Sequence, residues 1–141
     1  MLKIQLQDWK KWTGKEGTVV LFSFAEQVAD FAKADGFKGK EGETFLYRPD
    51  KSLPAARVVL VGLGKKAEFS NETLRRAAAK ILRVAESLGL QKVDVRAPEV
   101  AKGQAQEYQA LAEGLYLATY RFDRHKTPAT DAPKPLLEVN L

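Results

Sequence analysis

An α/β fold, with helices covering a largely parallel sheet, is the architecture this sequence predicts, and three observations lead there. Thr18-Val19-Val20-Leu21-Phe22 is a continuous apolar run rich in β-branched residues, as a strand buried on both faces requires, and Arg57-Val58-Val59-Leu60-Val61 is the strongest strand signal in the chain. Between and after them stand segments with helical spacing of apolar residues, so strands and helices alternate along the chain. The 141 residues and 45% hydrophobic content suffice for one domain with a real core.

The elements follow in order. Leu2, Ile4 and Leu6 alternate with Lys3 and Gln5, the period-2 pattern of a half-buried strand. A loop with Gly14 and Gly17 leads into the Thr18–Phe22 strand. Ser23 with Glu26 three residues on has the form of a capping box. The helix expected there carries Phe24, Val28 and Phe31 on one stripe and stops near Gly36. Thr44–Tyr47 reads as a strand closed by Pro49. Arg57–Val61 runs into Gly62-Leu63-Gly64-Lys65, expected as a loop at the strand's C-terminal end. Ser70 caps a helix reaching about Leu88 and stopping at Gly89, with Leu74, Ala78, Ile81, Ala85 and Leu88 on its apolar face. Val93–Val95 is a short strand, and about Gln104 to Tyr120 a further helix striped by Tyr108, Leu111, Leu115 and Ala118. From Lys126 to Pro135 the prolines at 128, 133 and 135 mark an extended linker, after which Leu136–Leu141 begins a new apolar alternation.

Composition narrows the function. There is no cysteine, hence neither a disulfide framework nor a thiolate metal site. No apolar run of about 18 residues spans a membrane, and the start of the chain lacks a secretory signal, so the chain reads as cytoplasmic without a membrane partner. A net charge of +5 is too modest to indicate nucleic-acid binding by itself.

Three places could carry chemistry or contacts. Gly62, Gly64 and Lys65 sit where open α/β sheets bind ligands, with glycine amides able to approach a phosphate and Lys65 adding charge. The third glycine of a dinucleotide fingerprint and the Gly-Lys-Ser/Thr ending of a P-loop are missing, and a tight strand-to-helix turn explains the same residues. Arg76, Lys80 and Arg83 fall on one helix face opposite Leu74, Ile81 and Leu88, which is either a solvated face or a polyanion contact. No aromatic residue is interleaved there for base stacking. Tyr120 and Phe122 alternate with charged residues at the end of the last helix, and pack on the domain's own sheet or on another domain or subunit. His125, the single histidine, has no partners at ligand or catalytic spacing, Ser23 and Ser70 lie outside any Gly-x-Ser-x-Gly, and no carboxylate pair suggests a hydrolase.

Three segments, taken in order and spacing, resemble the leucyl aminopeptidase (cytosol aminopeptidase) family. They are Gly36-Phe37-Lys38-Gly39-Lys40-Glu41-Gly42-Glu43-Thr44, then Arg57 to Lys65 with the basic alanine-rich helix after it, then Glu113-Gly114-Leu115-Tyr116-Leu117-Ala118-Thr119-Tyr120-Arg121-Phe122-Asp123-Arg124. The resemblance covers about Val19 to Lys126. It implies a three-layer α/β/α sandwich, macro-domain-like, with a mixed, mostly parallel sheet. It places an N-terminal domain at 1–126, and at 127–141 a proline-rich linker leading toward a catalytic domain. The family's two divalent metals (Zn or Mn) and catalytic residues lie in that second domain, around an Asn-Thr-Asp-Ala-Glu-Gly-Arg-Leu motif that this sequence lacks. No catalytic or metal-binding role is therefore assigned to any residue here. The implied partners are the catalytic domain and neighbouring subunits of a homo-hexamer, with peptides reached only through the catalytic domain. DNA enters because some bacterial members bind it. The leading expectation is thus a non-catalytic domain contributing to assembly; the alternative is a stand-alone macro-like module for nucleotide, ADP-ribose or nucleic acid.

Overall fold

The computed structural model describes residues 2–5, 7, 17–49, 55–98, 105–125 and 138–141, with the backbone alone at 105 and 120–125. Among these residues six strands form one sheet: β1 (Lys3–Gln5), β2 (Thr18–Phe24), β3 (Thr44–Tyr47), β4 (Arg57–Gly64), β5 (Lys92–Val95) and β6 (Glu138–Asn140). Their spatial order is β1-β6-β5-β2-β4-β3, parallel throughout except for β3, which runs antiparallel to β4 at the edge. The helices are α1 (Asp30–Ala34), α2 (Asn71–Ser87) and α3 (Ala105–His125). The expected α/β sandwich with a mostly parallel sheet is what forms.

Strand alternation divides the core between the two faces. Val59, Val61 and Leu63 of β4 join Val20, Val93, Val95 and Val139 beneath α2 and α3. Val58 and Leu60 turn the other way, with Val19, toward Val28, Ala32 and Phe37 around α1. The α2 face read from the sequence is the buried one, since Leu74, Ala78, Ile81 and Ala85 are at most 2% exposed. Leu111 and Leu115 of α3 interlock with it, and burying each such side chain contributes roughly 2–3 kcal/mol. Ser70 is the N-cap of α2: its N–H donates to the Thr73 hydroxyl at 3.1 Å, completing a capping box. The helix ends before Gly89, whose φ of +69° suits glycine.

Three expectations change. Ser23 is not a cap, because β2 continues alongside β4 through Ser23 opposite Gly62 to Phe24. Its buried hydroxyl points to the Phe24 carbonyl, and the first α-helical residue is Asp30 after a single 3-10 turn, Ala25–Gln27. The stripe Phe24/Val28/Phe31 splits accordingly: Phe24 packs edge-on against Phe69 on the α2 side, Val28 lies in the opposite core, and Phe31 is half exposed. Gly62, Leu63 and Gly64 belong to β4 rather than to a loop after it. Residues 138–140, whose apolar alternation the sequence shows, form β6 between β1 and β5, with Val139 and Leu141 fully buried. Sequence spacing could not show this placement, because a three-residue strand acquires its role only from its neighbours in the sheet. Leu6, the Gly14 loop, the linker from Lys126 to Pro135 and Leu136 lie outside the described residues.

Candidate functional site

The segment Gly39–Glu43 and the end of β4 build one another. Lys40 to Glu43 form a turn closed by the Glu43 N–H donating to the Lys40 carbonyl at 2.9 Å, with Gly42 at φ +82° as its third residue. Gly42 N–H donates to the Gly62 carbonyl (3.1 Å) and Gly62 N–H to the Glu43 carbonyl (2.7 Å). Two residues of the β3 side thus oppose one of β4, a β-bulge that requires glycine at its first position. The Glu43 carboxylate accepts from Lys38 and Lys40 N–H at 2.9 and 3.1 Å, so the loop's own acid fills its anion-binding concavity. Gly64 N–H donates to the Gly39 carbonyl at 2.9 Å.

These bonds bear on the phosphate candidate. The Gly62 and Gly64 amides are both used within the fold, and the Glu26 carboxylate accepts from Lys66 N–H at 3.1 and 3.2 Å. The acid expected to cap its own helix therefore caps the next turn, Lys66–Glu68, across the sheet. Lys65 itself is exposed.

On α2, Arg76 and Arg83 line a groove of about 500 Å³ between α2 and α3, together with Glu72, Leu82, Glu86 and Leu117. Lys80 is half-buried and is not among the lining residues. Arg76 Nε donates to Glu41 at 2.6 Å, tying α2 to the glycine-rich turn. Arg75 pairs with Glu113 of α3 at 3.0 Å and with Glu72 at 3.3 Å, which holds its guanidinium yet more firmly charged than usual, Glu113 contributing most. Carboxylates interleave with the cations here, so the face is of mixed sign. Sequence reasoning missed Glu41, Glu113 and Gly114. A glycine inside a helical pattern was the available signal, for Gly114 marks where α3 crosses the Arg75 backbone.

Tyr120, Phe122 and His125 lie on α3, but their side chains are outside the described residues. Among the described residues no three His, Cys, Asp or Glu side chains converge as a metal site. The buried Glu107 Oε2 and the buried Tyr108 hydroxyl have no hydrogen-bond partner among the described residues. Among the described residues no helix is long and apolar enough to cross a membrane.

The glycine contacts, ion pairs and buried strands together define an α/β/α scaffold domain, whose distinctive segments are used to lock elements onto one another. Residues 7–129 match the family described as the cytosol aminopeptidase family, N-terminal domain, and the chain belongs to that family. A probable cytosol aminopeptidase of Syntrophotalea carbinolica is 43% identical over 105 residues, 73% of this chain and 21% of that protein. One from Alkaliphilus oremlandii is 34% identical over 116 residues, 81% of this chain and 23% of that protein. The chain thus spans under a third of the length of such relatives. Among solved structures, the bottromycin maturation enzyme BotP is similar with a TM-score of 0.65 and 26% identity, over 89% of this chain and 27% of that one. BotP has also been solved in complex with Mn. A mutant of tomato leucine aminopeptidase shares the fold over all of this chain and 32% of its own, with a TM-score of 0.71 at 15% identity.

Proposed function

We propose that this domain is the non-catalytic N-terminal part of a cytoplasmic, metal-dependent leucyl aminopeptidase, and that it contributes to assembly. The observation carrying this reading is that the segments shared with the family are used structurally: Gly39–Glu43 locks onto β4, and Gly114 and Glu113 lock α3 onto α2. The peptide bond would be cleaved in the catalytic domain of the whole enzyme. Two divalent metals, Zn or Mn, would there activate water and polarise the carbonyl. Its partners in this reading are that catalytic domain and neighbouring subunits of a homo-hexamer.

Purified chain supplied with manganese or zinc is expected to release no amino acid from leucine amides. Metal-dependent turnover that changes when this chain is mutated would overturn the reading. The rival function, a module for nucleotide, ADP-ribose or nucleic acid including DNA, is tested on the same sample. Calorimetry with ADP-ribose at submillimolar concentration should give no saturable heat, since the glycine amides are already bonded. Saturable heat abolished by Lys65→Ala would establish that rival.

Tyr120 and Phe122 are proposed as part of the assembly surface, because they stand where the last helix meets the proline-rich segment. Changing both to serine should weaken assembly of the full enzyme and leave the isolated domain's melting point nearly unchanged. A drop of about 10 °C or more would make them ordinary core.

A further inference from the structure

We infer that the outer edge of β3 is a self-pairing surface, through which two copies of this chain join antiparallel about a two-fold axis at Leu46. The inference stands apart from the peptidase reading and needs only the sheet.

The two edges of the sheet differ. β1 is three residues long and carries Lys3 and Gln5, charge and polarity of the kind that discourages strand addition. β3 is Thr44-Phe45-Leu46-Tyr47, without charge or proline, and among the described residues nothing pairs with its outer side. Its register with β4 fixes which peptide groups face outward. Glu43 bonds inward to Gly62, and in an antiparallel ladder alternate residues do the same, so Phe45 and Tyr47 also turn toward β4. The N–H and C=O groups of Thr44 and Leu46 therefore point to the open edge.

The side chains beside that edge are apolar and partly uncovered. Phe45 and Tyr47 stack at 5.9 Å on the α1 side. Phe31 of α1 lies 4.7 Å from Tyr47 and 6.4 Å from Phe45, yet is 49% exposed. Leu46, on the opposite face, is 45% exposed.

A two-fold partner must satisfy two conditions. Outward residues must meet outward residues, and side chains must keep their faces. An axis at Leu46 meets both: Leu46 exchanges hydrogen bonds with its own copy, and Thr44 pairs with Arg48 of the partner subunit. Phe45 then sits opposite Tyr47 of the partner subunit in the closer, non-bonded pairing, extending the aromatic cluster across the junction. The two exposed leucines cover one another on the other face. Moving the axis to Phe45 would set Leu46 against threonine and leave the leucines apart. The two Arg48 cations, each opposite a threonine, lie four residues from each other along the strands, roughly 13 Å at strand rise, beyond a Debye length of about 10 Å. A strand this short buries less than the roughly 1,200 Å² of a stable complex, so the dimer is weak.

Sedimentation equilibrium of the full chain up to about 1 mM should show a monomer–dimer equilibrium, weakened at least tenfold by Leu46→Lys with an unchanged melting point. Because the chain has no cysteine, Leu46→Cys can form a disulfide only between copies. A hydrogen-bonded pair at the axis has Cα atoms about 5.5 Å apart, within disulfide reach. Leu46→Cys should therefore oxidise to a covalent dimer much faster than Leu117→Cys, which is as exposed but lies on α3. A monomer throughout, a dimer indifferent to Leu46→Lys, or equal cross-linking of the two cysteine variants would each overturn the inference. Folding of each variant is checked by circular dichroism.

Discussion

Replacing Gly62 with alanine should lower the melting temperature by roughly 10–15 °C, one of the largest effects expected of a single methyl group here. A Cβ at this position would lie 2.2 Å from the Lys40 carbonyl oxygen, 2.7 Å from the Gly39 carbonyl carbon and 2.9 Å from the Gly39 oxygen. All three are backbone atoms, so no side chain can rotate away. Inserting the methyl costs about 1–3 kcal/mol as overpacking. Pushing the turn outward also breaks the two bonds that Gly62 makes with Gly42 and Glu43, at about 1 kcal/mol each. Gly36→Ala is the matching control. At Gly36 φ is +90° but nothing lies within 4 Å of a new Cβ. Only left-handed strain of about 1–2 kcal/mol applies there, a shift of a few degrees. Thermal melts of both variants decide the matter, and a Gly62→Ala protein melting with or above Gly36→Ala would refute the locking role of the glycine-rich turn.

At Gly114 two effects oppose one another. Alanine in place of an interior helical glycine ordinarily stabilises by about 1 kcal/mol. Here the added Cβ would stand 2.7 Å from the Arg75 carbonyl oxygen, 2.8 Å from its Cα and 2.8 Å from the Ala78 methyl. Overpacking of about 1–3 kcal/mol outweighs the helical gain, so Gly114→Ala should be destabilising. Gly114→Leu, which must drive α3 off α2 and separate Arg75 from Glu113, should cost about 3 kcal/mol or more. Adding Ala78→Gly should recover only part of the loss, since the Arg75 backbone remains in the way. Denaturant unfolding of the set measures this. A Gly114→Ala protein more stable than the parent would mean that the helices part at small cost.

Much of this follows from local pattern. Continuous β-branched runs gave β2 and β4, the four-and-three spacing of Leu74, Ala78, Ile81 and Ala85 gave α2 with its buried face, and Ser70 and Gly89 bounded it. Each of these signals is complete within a few consecutive residues, so it survives without knowledge of neighbours. The family resemblance was legible for the same reason, since its segments are contiguous.

What lay beyond the sequence depends on pairing across long separations. Ser23 followed by Glu26 satisfies a local capping rule, yet a parallel neighbour strand draws Ser23 into the sheet and leaves Glu26 to meet Lys66, 40 residues away. Gly62 and Gly64 read either as a tight turn or as amides able to approach a phosphate. Only the fold decides that their N–H groups donate to the Glu43 and Gly39 carbonyls. Likewise Glu138–Asn140 is too short to announce itself, and becomes a strand because β1 and β5 present peptide groups on either side. The sequence by itself determined the cores of β2 and β4 and the helices α2 and α3 with their apolar faces, because those depend on side-chain periodicity. Tertiary structure alone decided where each hydrogen-bonding group finds its partner, because a buried donor or acceptor must be satisfied by whatever the fold brings beside it.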